Sequence, residues 1–283
     1  MMKAVSKIEP GMDRREVSHT TYQMRVPFKQ FADAVATELD VHCYLQHAFA
    51  ADLCPAGGTV LDVCCGRGLL IPFLRYRGSA PRLYVGVDAE PRNARWKDGA
   101  DPRRESEIKK DGWGFRTVFV EALVDAMAGK VADLAVGDVG FDLIVYTSAI
   151  EHMQPAAQEA SLRECYRLSK PSTVLYLSCP VTAEGRSGFD AQYAAHVYEP
   201  KESELQAWLK AAGWKVLARH GLCTGSKAYR ALLKGAELQE AERIYKMLPR
   251  EFALPTIAAL FPASAQEVAY VCGRGQSGLF DEV

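Results

Sequence analysis

One stretch of the chain joins an apolar strand to a turn with two glycines and then to the start of an apolar helix. It reads Val60-Leu61-Asp62-Val63-Cys64-Cys65-Gly66-Arg67-Gly68. An apolar run of this kind is typical of a parallel strand that is covered on both faces. The glycines let a ligand approach the backbone, and the amides of a helix beginning near Gly68 would face that ligand. The stretch therefore predicts a nucleotide-type binding turn in an α/β sheet.

A second strand follows and ends in a carboxylate. The segment runs from Arg82 to Asp88, and the acid lies 20 residues beyond Gly68 (88 minus 68). An acid at this spacing can accept hydrogen bonds from a ribose diol. The alternative is a surface aspartate that only closes the strand. A dinucleotide-dependent dehydrogenase fits less well, because Ile71 stands where Gly-x-Gly-x-x-Gly has its third glycine.

With these segments the chain resembles the Rossmann-like, class I S-adenosylmethionine (SAM) dependent methyltransferases, whose first strand reads roughly Val-Leu-Asp-x-Gly-Cys-Gly-x-Gly. Cys64 stands where the family usually has its first glycine. Gly140 to Met153 looks like the fourth strand and its turn, and Leu168 to Ser178 looks like the fifth strand. The match covers residues 55 to 220. Its Ile-Glu-His-Met turn is common in the branch that methylates small molecules.

The resemblance implies an α/β fold with a seven-stranded, mostly parallel sheet, helices on both faces and an antiparallel last strand. In similar enzymes N-terminal helices lie over the cofactor cleft as a lid, so Tyr22 and Phe28 are candidates for closing it, with ordinary packing as the alternative. We expect four segments: an N-terminal helical lid or extension (1–54), a SAM-binding core (55–223), a helical insertion (224–265), and the final strand with the C-terminal tail (266–283).

The resemblance also implies which residues contact SAM, or its product S-adenosylhomocysteine. Glu121, after a third strand predicted at 115–120, would contact the adenine amino group. Asp138 competes for that role, but it lies only three residues before Phe141, where the fourth strand begins. The candidates come from the glycine turn and the strand ends: Asp62, Val63, Cys64, Cys65, Gly66, Gly68, Asp88, Ala89, Glu121, Ala122, Thr147 and Ser148.

The turn after the fourth strand discriminates among acceptor classes. It carries neither the Asn/Asp-Pro-Pro-Tyr/Phe motif of amino-directed nucleic-acid enzymes nor the Pro-Cys motif of cytosine C5 enzymes. Cys179 stands before Pro180, which is the reverse of the Pro-Cys order, and it follows the fifth strand. We therefore expect Cys179 in the core, with a thiol nucleophile as the alternative. We therefore expect methyl transfer to oxygen or nitrogen of a small-molecule acceptor, such as a metabolite or natural product. A SAM-binding scaffold without turnover and an enzyme acting on RNA or tRNA are the alternatives.

Two histidines lie where a general base would be useful, because a hydroxyl acceptor of high pKa must lose a proton. His152 follows the fourth strand. His196 belongs to a segment that resembles the family's loop before the sixth strand. Each is a candidate catalytic residue, with a structural role as the alternative. The other histidines show no cluster and no metal-ligand spacing, so no metal is expected.

Two segments have more than one interpretation. The charged loop at 91–114 is either a solvated loop or a substrate-facing insertion. Strands are predicted at Trp214 to Arg219 and Glu267 to Cys272, with helices between them at Ala228–Leu233, Gly235–Lys246 and Pro255–Leu260. These helices would cap the acceptor pocket, with packing or homodimer formation as the alternative.

Bulk properties indicate a cytoplasmic enzyme. A net charge of -1 and a pI near 6.6 give no general attraction to nucleic acid, so nucleic acid is not an expected partner. The sequence shows no apolar leader and no run of 18 apolar residues, so neither secretion nor a membrane span is expected. The eight cysteines contain no Cys-x-x-Cys pair, which indicates reduced thiols.

Overall fold

The computed structural model describes residues 38–66, 68–77, 80–89, 114–132, 140–183, 185–187 and 196–275. Several sequence predictions fall outside these residues: the lid candidates Tyr22 and Phe28, the charged loop at 91–114, and the competing adenine contact Asp138. Within the described residues, no helix is both long and apolar enough to span a bilayer.

Strands and helices alternate along most of the first two thirds of the described chain, as expected for an α/β fold. The strands are β1 (Thr59–Val63), β2 (Leu83–Asp88), β3 (Arg116–Glu121), β4 (Phe141–Thr147), β5 (Ser169–Pro180), β6 (Arg186–Ser187), β7 (Tyr198–Glu199), β8 (Trp214–Cys223) and β9 (Glu267–Arg274). The helices are α1 (Glu38–Asp52), α2 (Leu70–Tyr76), α3 (Met127–Ala132), α4 (Pro155–Arg167), α5 (Glu202–Ala211), α6 (Ser226–Leu232), α7 (Gly235–Met247) and α8 (Arg250–Leu260).

Seven strands form the main sheet in the order β3-β2-β1-β4-β5-β9-β8. The pairs among β1 to β5 are parallel, whereas β9 is antiparallel to both β5 and β8. This arrangement confirms the predicted mostly parallel sheet with an antiparallel last strand. The predicted sixth strand is β8, which continues to Cys223 instead of ending at Arg219. Because β1 to β5 are parallel, their carboxyl ends meet at one edge, which is where ligands bind in open α/β folds.

Both faces of the sheet are covered by apolar packing. Alternate residues of β1 enter opposite clusters, since Val60 packs on one face and Leu61 on the other. Leu74 of α2 belongs to the first cluster, and Leu162 of α4 belongs to the second. The two-residue period of a strand produces this division. Burial on both faces explains why the sequence of β1 is a continuous apolar run.

The insertion between β8 and β9 consists of α6, α7 and α8 and has an apolar cluster of its own, which includes Tyr229, Ile244 and Leu254. The last of these helices begins at Arg250, five residues before its predicted start at Pro255. Proline fits the first turn of a helix best, which favoured a start at Pro255. The observed helix instead carries Pro255 in its interior, where it removes one backbone hydrogen bond.

The insertion lies directly against the sheet. A β-carbon added to Gly221 of β8 would lie 2.0 Å from the carbonyl oxygen of Ala258 in α8. No side chain fits in that space, so glycine is required for the helix backbone to reach the strand backbone.

Candidate active site

The glycine turn after β1 requires left-handed backbone at three residues. The φ angles are +55° at Cys64, +51° at Gly66 and +73° at Gly68. A left-handed conformation costs an L-residue with a side chain roughly 1 to 2 kcal/mol, a strain that glycine avoids. This explains the glycine that similar sequences carry where this chain has Cys64. A β-carbon added to Gly66 would meet no atom within 4 Å, so the turn borders open space.

The carboxylate predicted at the tip of β2 does lie beside this turn. The amide of Gly66 donates a 2.8 Å hydrogen bond to Oδ2 of Asp88, and the amide of Cys65 donates to the carbonyl of Val87. Ala89 follows Asp88 directly. The two sequence features that are 20 residues apart are therefore in contact at the sheet edge.

The end of β3 completes this half of the edge. Glu121 is paired in register with Asp88, and its side chain is exposed. Ala122 is buried, and its amide donates a hydrogen bond to the carbonyl of Asp88. Glu121 thus stands next to the ribose candidate, as an adenine contact would require.

Asp62 lies beneath the turn, where its carboxylate accepts a 2.6 Å hydrogen bond from the hydroxyl of Tyr84. Burial raises the pKa of Asp62 to about 7; the Tyr84 hydrogen bond opposes this rise and the charge of Asp88 adds to it. The side chains of Val63 and Cys65 are also buried. Of the predicted cofactor residues, these three are placed to contribute through their backbone.

The end of β4 is tied to the first described helix. Ser148 has a φ of +44°, and its hydroxyl donates a 2.9 Å hydrogen bond to Oε1 of Gln46 in α1. The hydroxyl of Ser178 in β5 donates to the same oxygen at 2.9 Å. Thr147, the residue before Ser148, is half-buried. Helix α1 therefore lies over the carboxyl ends of β4 and β5, a contact that no motif around Gln46 indicated.

The two histidines proposed as bases lie together although they are 44 residues apart (196 minus 152). Their rings are nearly perpendicular, with centroids 5.1 Å apart. Nε2 of His196 lies 3.9 Å from Oε1 of Glu151, and Nδ1 of His196 lies 2.8 Å from Oε1 of Glu199. A backbone hydrogen bond from Val197 to the carbonyl of Glu151 joins the two segments. The structure thus assembles a cluster of imidazole and carboxylate groups.

Three carboxyl groups lie close together around this cluster. Burial raises the pKa of Glu151 to about 8, with the charge of Glu199 adding to the effect and a hydrogen bond to the backbone of Glu151 itself opposing it. Burial also raises the pKa of Glu267, at the start of β9, and the charges of Glu151 and Glu199 contribute. His42 of α1 lies 3.7 Å from Glu267 through Nε2. Among these acids only Glu151, within Ile-Glu-His-Met, lies in a recognisable sequence motif, and no motif places Glu199, Glu267 or His42 in a cluster.

Cys179 fits the core position that its sequence context favoured. Its side chain is fully buried, and burial raises the pKa of its thiol well above the ordinary value. A thiol in this environment stays protonated and is a poor nucleophile. All eight cysteines have free thiols.

A cavity of about 540 Å³ lies between the insertion and the carboxyl end of β5. Its core side includes Val181, Thr182 and Arg219, and its insertion side includes Ala228 and Leu232. Arg219 is held in place by a bidentate ion pair with Glu202. Of the insertion's helices, α6 supplies Ala228 and Leu232 to the wall of this cavity.

Comparison with known proteins identifies the family. A family model described as a methyltransferase domain matches residues 39–219, which is more than half of the chain. A ubiquinone biosynthesis O-methyltransferase from Xanthomonas axonopodis pv. citri is 31% identical over 176 residues, covering 58% of this chain and 65% of that protein. A probable S-adenosylmethionine-dependent methyltransferase from Mycolicibacterium smegmatis is 26% identical over 172 residues, covering 60% and 57%. The chain thus spans less than two thirds of the length of these relatives.

Solved structures show the same fold at low sequence identity. A 1,6-didemethyltoxoflavin-N1-methyltransferase from Burkholderia thailandensis, bound to its acceptor and S-adenosylhomocysteine, is 16% identical with a TM-score of 0.50 and covers 95% of this chain and 94% of that one. A SAM-dependent methyltransferase from Archaeoglobus fulgidus is also 16% identical with a TM-score of 0.50, covering 84% and 95%. The family match and the sheet order agree: the chain belongs to the class I S-adenosylmethionine-dependent methyltransferases.

Proposed function

We propose that the protein transfers a methyl group from SAM to an oxygen or nitrogen atom of a small molecule. The observation that carries this proposal is the pairing of two groups at one sheet edge. The glycine turn with Asp88 lies at the ends of β1 and β2, and the Glu151–His152–His196 cluster follows β4. A relative that is 31% identical is a ubiquinone biosynthesis O-methyltransferase, which favours a small acceptor and oxygen as the target atom.

The turn fits SAM because it offers space and polar partners where the cofactor needs them. The open space beside Gly66 admits a ligand against the backbone. Asp88 would accept hydrogen bonds from the ribose hydroxyls, and Glu121 would accept one from the adenine amino group. When bound, SAM supplies a methyl group made electrophilic by the positive sulfur.

The protein has two further tasks, which are to place the acceptor and to manage its proton. In-line placement alone can supply much of the rate of such a transfer. The contact between Glu199 and Nδ1 of His196 orients the ring, so that its Nε2 lies on the side of Glu151. We assign the activation of the acceptor to this cluster, with Nε2 acting as a base or as the ligand of a cation.

The contacts made by the two segments that flank the core support a binding role for both. Helix α1 reaches β4 and β5 through Gln46, as a lid over the cofactor cleft would. The cavity bordered by Ala228 and Leu232 is suited to the body of the acceptor. This assignment competes with an alternative in which the insertion mediates a homodimer. A cytoplasmic location also belongs to the proposal, supported by eight free thiols.

The experiment combines calorimetry with transfer of isotopically labelled methyl groups. We expect the protein to bind SAM and S-adenosylhomocysteine and to label phenols or other small hydroxyl or amino compounds. Absence of SAM binding by the folded protein would refute the proposal. Cofactor binding without labelling of any small compound would favour a scaffold, and labelling of RNA with strongly salt-dependent binding would favour the nucleic-acid alternative.

A further inference from the structure

We propose that Glu151, His152 and His196 form a binding site for a divalent cation of the Zn²⁺ type. Each residue offers one ligand atom, and these three atoms all lie within 4.8 Å of one another. Two imidazole nitrogens and one carboxylate oxygen form a ligand set used for catalytic zinc and for other first-row metals. The set is a mixed one, assembled from the turn after β4 and the segment before β7.

One of the three separations is close to that of a loaded site, and the other two are no longer than 4.8 Å. Ligand atoms bound to tetrahedral Zn²⁺ at roughly 2.0 to 2.1 Å are separated by roughly 3.4 Å. The distance between Nε2 of His196 and Oε1 of Glu151 is 3.9 Å. The pair would close by about 0.5 Å on binding, a change within the range of small side-chain rotations.

The surroundings of His196 match those of a metal ligand. Its Nδ1 lies 2.8 Å from a carboxylate oxygen of Glu199, which is itself buried. A carboxylate accepts hydrogen bonds, so this contact assigns the proton of the neutral ring to Nδ1 and the lone pair to Nε2. Metal-binding histidines are commonly held in this way by a carboxylate behind the ring.

A second and independent observation is an unsatisfied carboxylate oxygen at the same place. Glu151 is 2% exposed, and among the described residues its Oε2 has no hydrogen-bond partner. A buried polar atom in this state is costly, and native proteins seldom tolerate it without a bound group. The ion pairs that Glu151 and Glu267 make within the described part of the chain are both with histidines. A cation bound through both oxygens of the Glu151 carboxylate would satisfy Oε2 and offset the accumulated negative charge.

The site would also define the acceptor, a consequence that rests on the proposed function. Three protein ligands leave a coordination position open, and a hydroxyl bound there would have a lower pKa. Its O–H bond would break with loss of the proton to solvent, the O–CH₃ bond would form, and the S–CH₃ bond would break with its electron pair remaining on sulfur. The cation is not consumed. The acceptor class that fits this site is a small molecule with a hydroxyl group that can occupy the open position.

The direct test is calorimetry with Zn²⁺ on chelator-treated full-length protein, without SAM or acceptor. We expect saturation at one ion per chain. Substitution of Glu151→Gln or His196→Gln should weaken Zn²⁺ binding at least tenfold. His220→Gln is the matched control, because His220 is an exposed histidine outside the cluster, and its variant should bind like the natural protein. Loading with Co²⁺ should give visible absorption without a thiolate charge-transfer band, which excludes the cysteines as ligands.

Binding of S-adenosylhomocysteine reports whether each variant is folded, since the cofactor turn is a separate group of residues. Zn²⁺ binding that is absent, or that Glu151→Gln and His196→Gln leave unchanged in folded protein, would overturn the site. If either variant fails to fold, the Co²⁺ spectrum of the natural protein decides whether the site exists. A spectrum that lacks the features of nitrogen ligands would overturn the site. If the natural protein binds Zn²⁺ but transfers no methyl group to any small molecule, the proposed function is refuted and the cation site stands.

Discussion

The two halves of the carboxyl edge are built in different ways. At the ends of β1 and β2, the groups are mainly backbone atoms in left-handed conformation with one carboxylate, and the residues from Asp62 to Asp88 supply them. Around β4, β5 and β9, the groups are side chains from α1, the turn after β4, β7 and the start of β9, and their burial ranges from the enclosed Glu151 to the exposed His152. The half that we assign to the cofactor is therefore built from one short stretch of the chain, whereas the half that we assign to the acceptor is assembled from segments far apart in the sequence.

Because of this difference, the two halves tolerate different kinds of substitution. A turn that binds through backbone amides depends on φ angles, so it tolerates side chains only where they fit those angles. A cluster of acids and histidines depends on the mutual distance of its members, so one substitution changes the chemistry of the rest. Substitutions in the two halves should consequently affect different measurements.

The largest effect is expected in the acceptor half. Glu151→Gln or His196→Gln should lower the rate of methyl transfer by roughly 100 to 10,000-fold, the range for loss of a group that manages a proton. Affinity for S-adenosylhomocysteine should change by less than about threefold, since neither side chain belongs to the glycine turn. Labelled-methyl assays and calorimetry measure the two quantities. A variant that loses both in parallel would remove the distinction between the halves, and His220→Gln serves as the control.

The pH dependence of stability tests the cofactor half. The pKa of Asp62 is about 7 in the folded protein against an ordinary value of 3.8. The folded state therefore holds this proton more tightly, so the stabilisation is complete below about pH 4 and disappears as the pH rises towards 7. We expect Asp62→Asn to gain stability relative to the natural protein over that window by up to roughly 1.4 kcal/mol per pH unit.

Denaturant unfolding at several pH values measures this slope. The groups that face Asp62 are Tyr84, Asp88 and the thiols of Cys64 and Cys65, and their substitution is avoided in the comparison. Asp142→Asn is the control. Burial alone would raise the pKa of Asp142, but hydrogen bonds from Lys170 and Thr59 bring it below the ordinary value. The stability difference between Asp142→Asn and the natural protein should not change between pH 5 and 7, because the variant keeps Asp62, and an equal pH-dependent difference for both variants would contradict the assignment to Asp62.

A smaller effect is expected at the tip of β2. Asp88→Ala should weaken SAM binding by roughly 1 to 3 kcal/mol through loss of hydrogen bonds to the ribose. Zn²⁺ binding should stay as in the natural protein, because Asp88 lies outside the acceptor half. Calorimetry measures both ligands. Asp125→Ala is matched in charge and exposed beyond β3, so it should leave both affinities unchanged; unchanged SAM affinity in Asp88→Ala would reject the ribose assignment.

The smallest effect concerns the departure of the turn from its family. Cys64→Gly relieves left-handed strain but adds freedom to the unfolded chain, so the free energy of unfolding should change by less than about 1 kcal/mol. Cys64→Val places a β-branched side chain at the same φ and should destabilise the protein by more than about 1 kcal/mol. Thermal or urea unfolding of the pair gives the comparison. Equal stability of the two variants would show that backbone strain does not decide this position.

The fold could be predicted because its signals are local. Apolar runs marked β1 to β5, and Gly66, Gly68 and Asp88 stand at a fixed spacing that geometry turns into contact. The end of β8 and the start of α8 were misplaced: β8 continues through Gly221 to Cys223 and α8 holds Pro255 in its interior, although glycine and proline disfavour the interiors of strands and helices. Tertiary packing overrides that local preference at both positions.

The acceptor half was visible only in part. His152 and His196 were found because the resemblance drew attention to their segments, yet nothing in the sequence showed that their rings would meet. Glu199 and Glu267 looked like ordinary helix-start and strand-start acids. Glu199 lies on β7 and Glu267 on β9, which belong to different sheets, so their approach to Glu151 depends on tertiary packing that a linear pattern does not contain. A metal site whose ligands come from separate segments has no fixed spacing in the sequence by which it could be recognised.

Gly221 has a consequence for how acceptor preference can change. At Ala258 the backbone of α8 packs directly against the backbone of β8. The insertion is therefore fixed to the sheet at this contact and has no room for a hinge there. A cap of this kind does not adapt to a new compound by swinging outward. Diversification of acceptors among relatives with this glycine should therefore follow exchanges of the side chains that border the cavity, while the position of the helix itself stays constant.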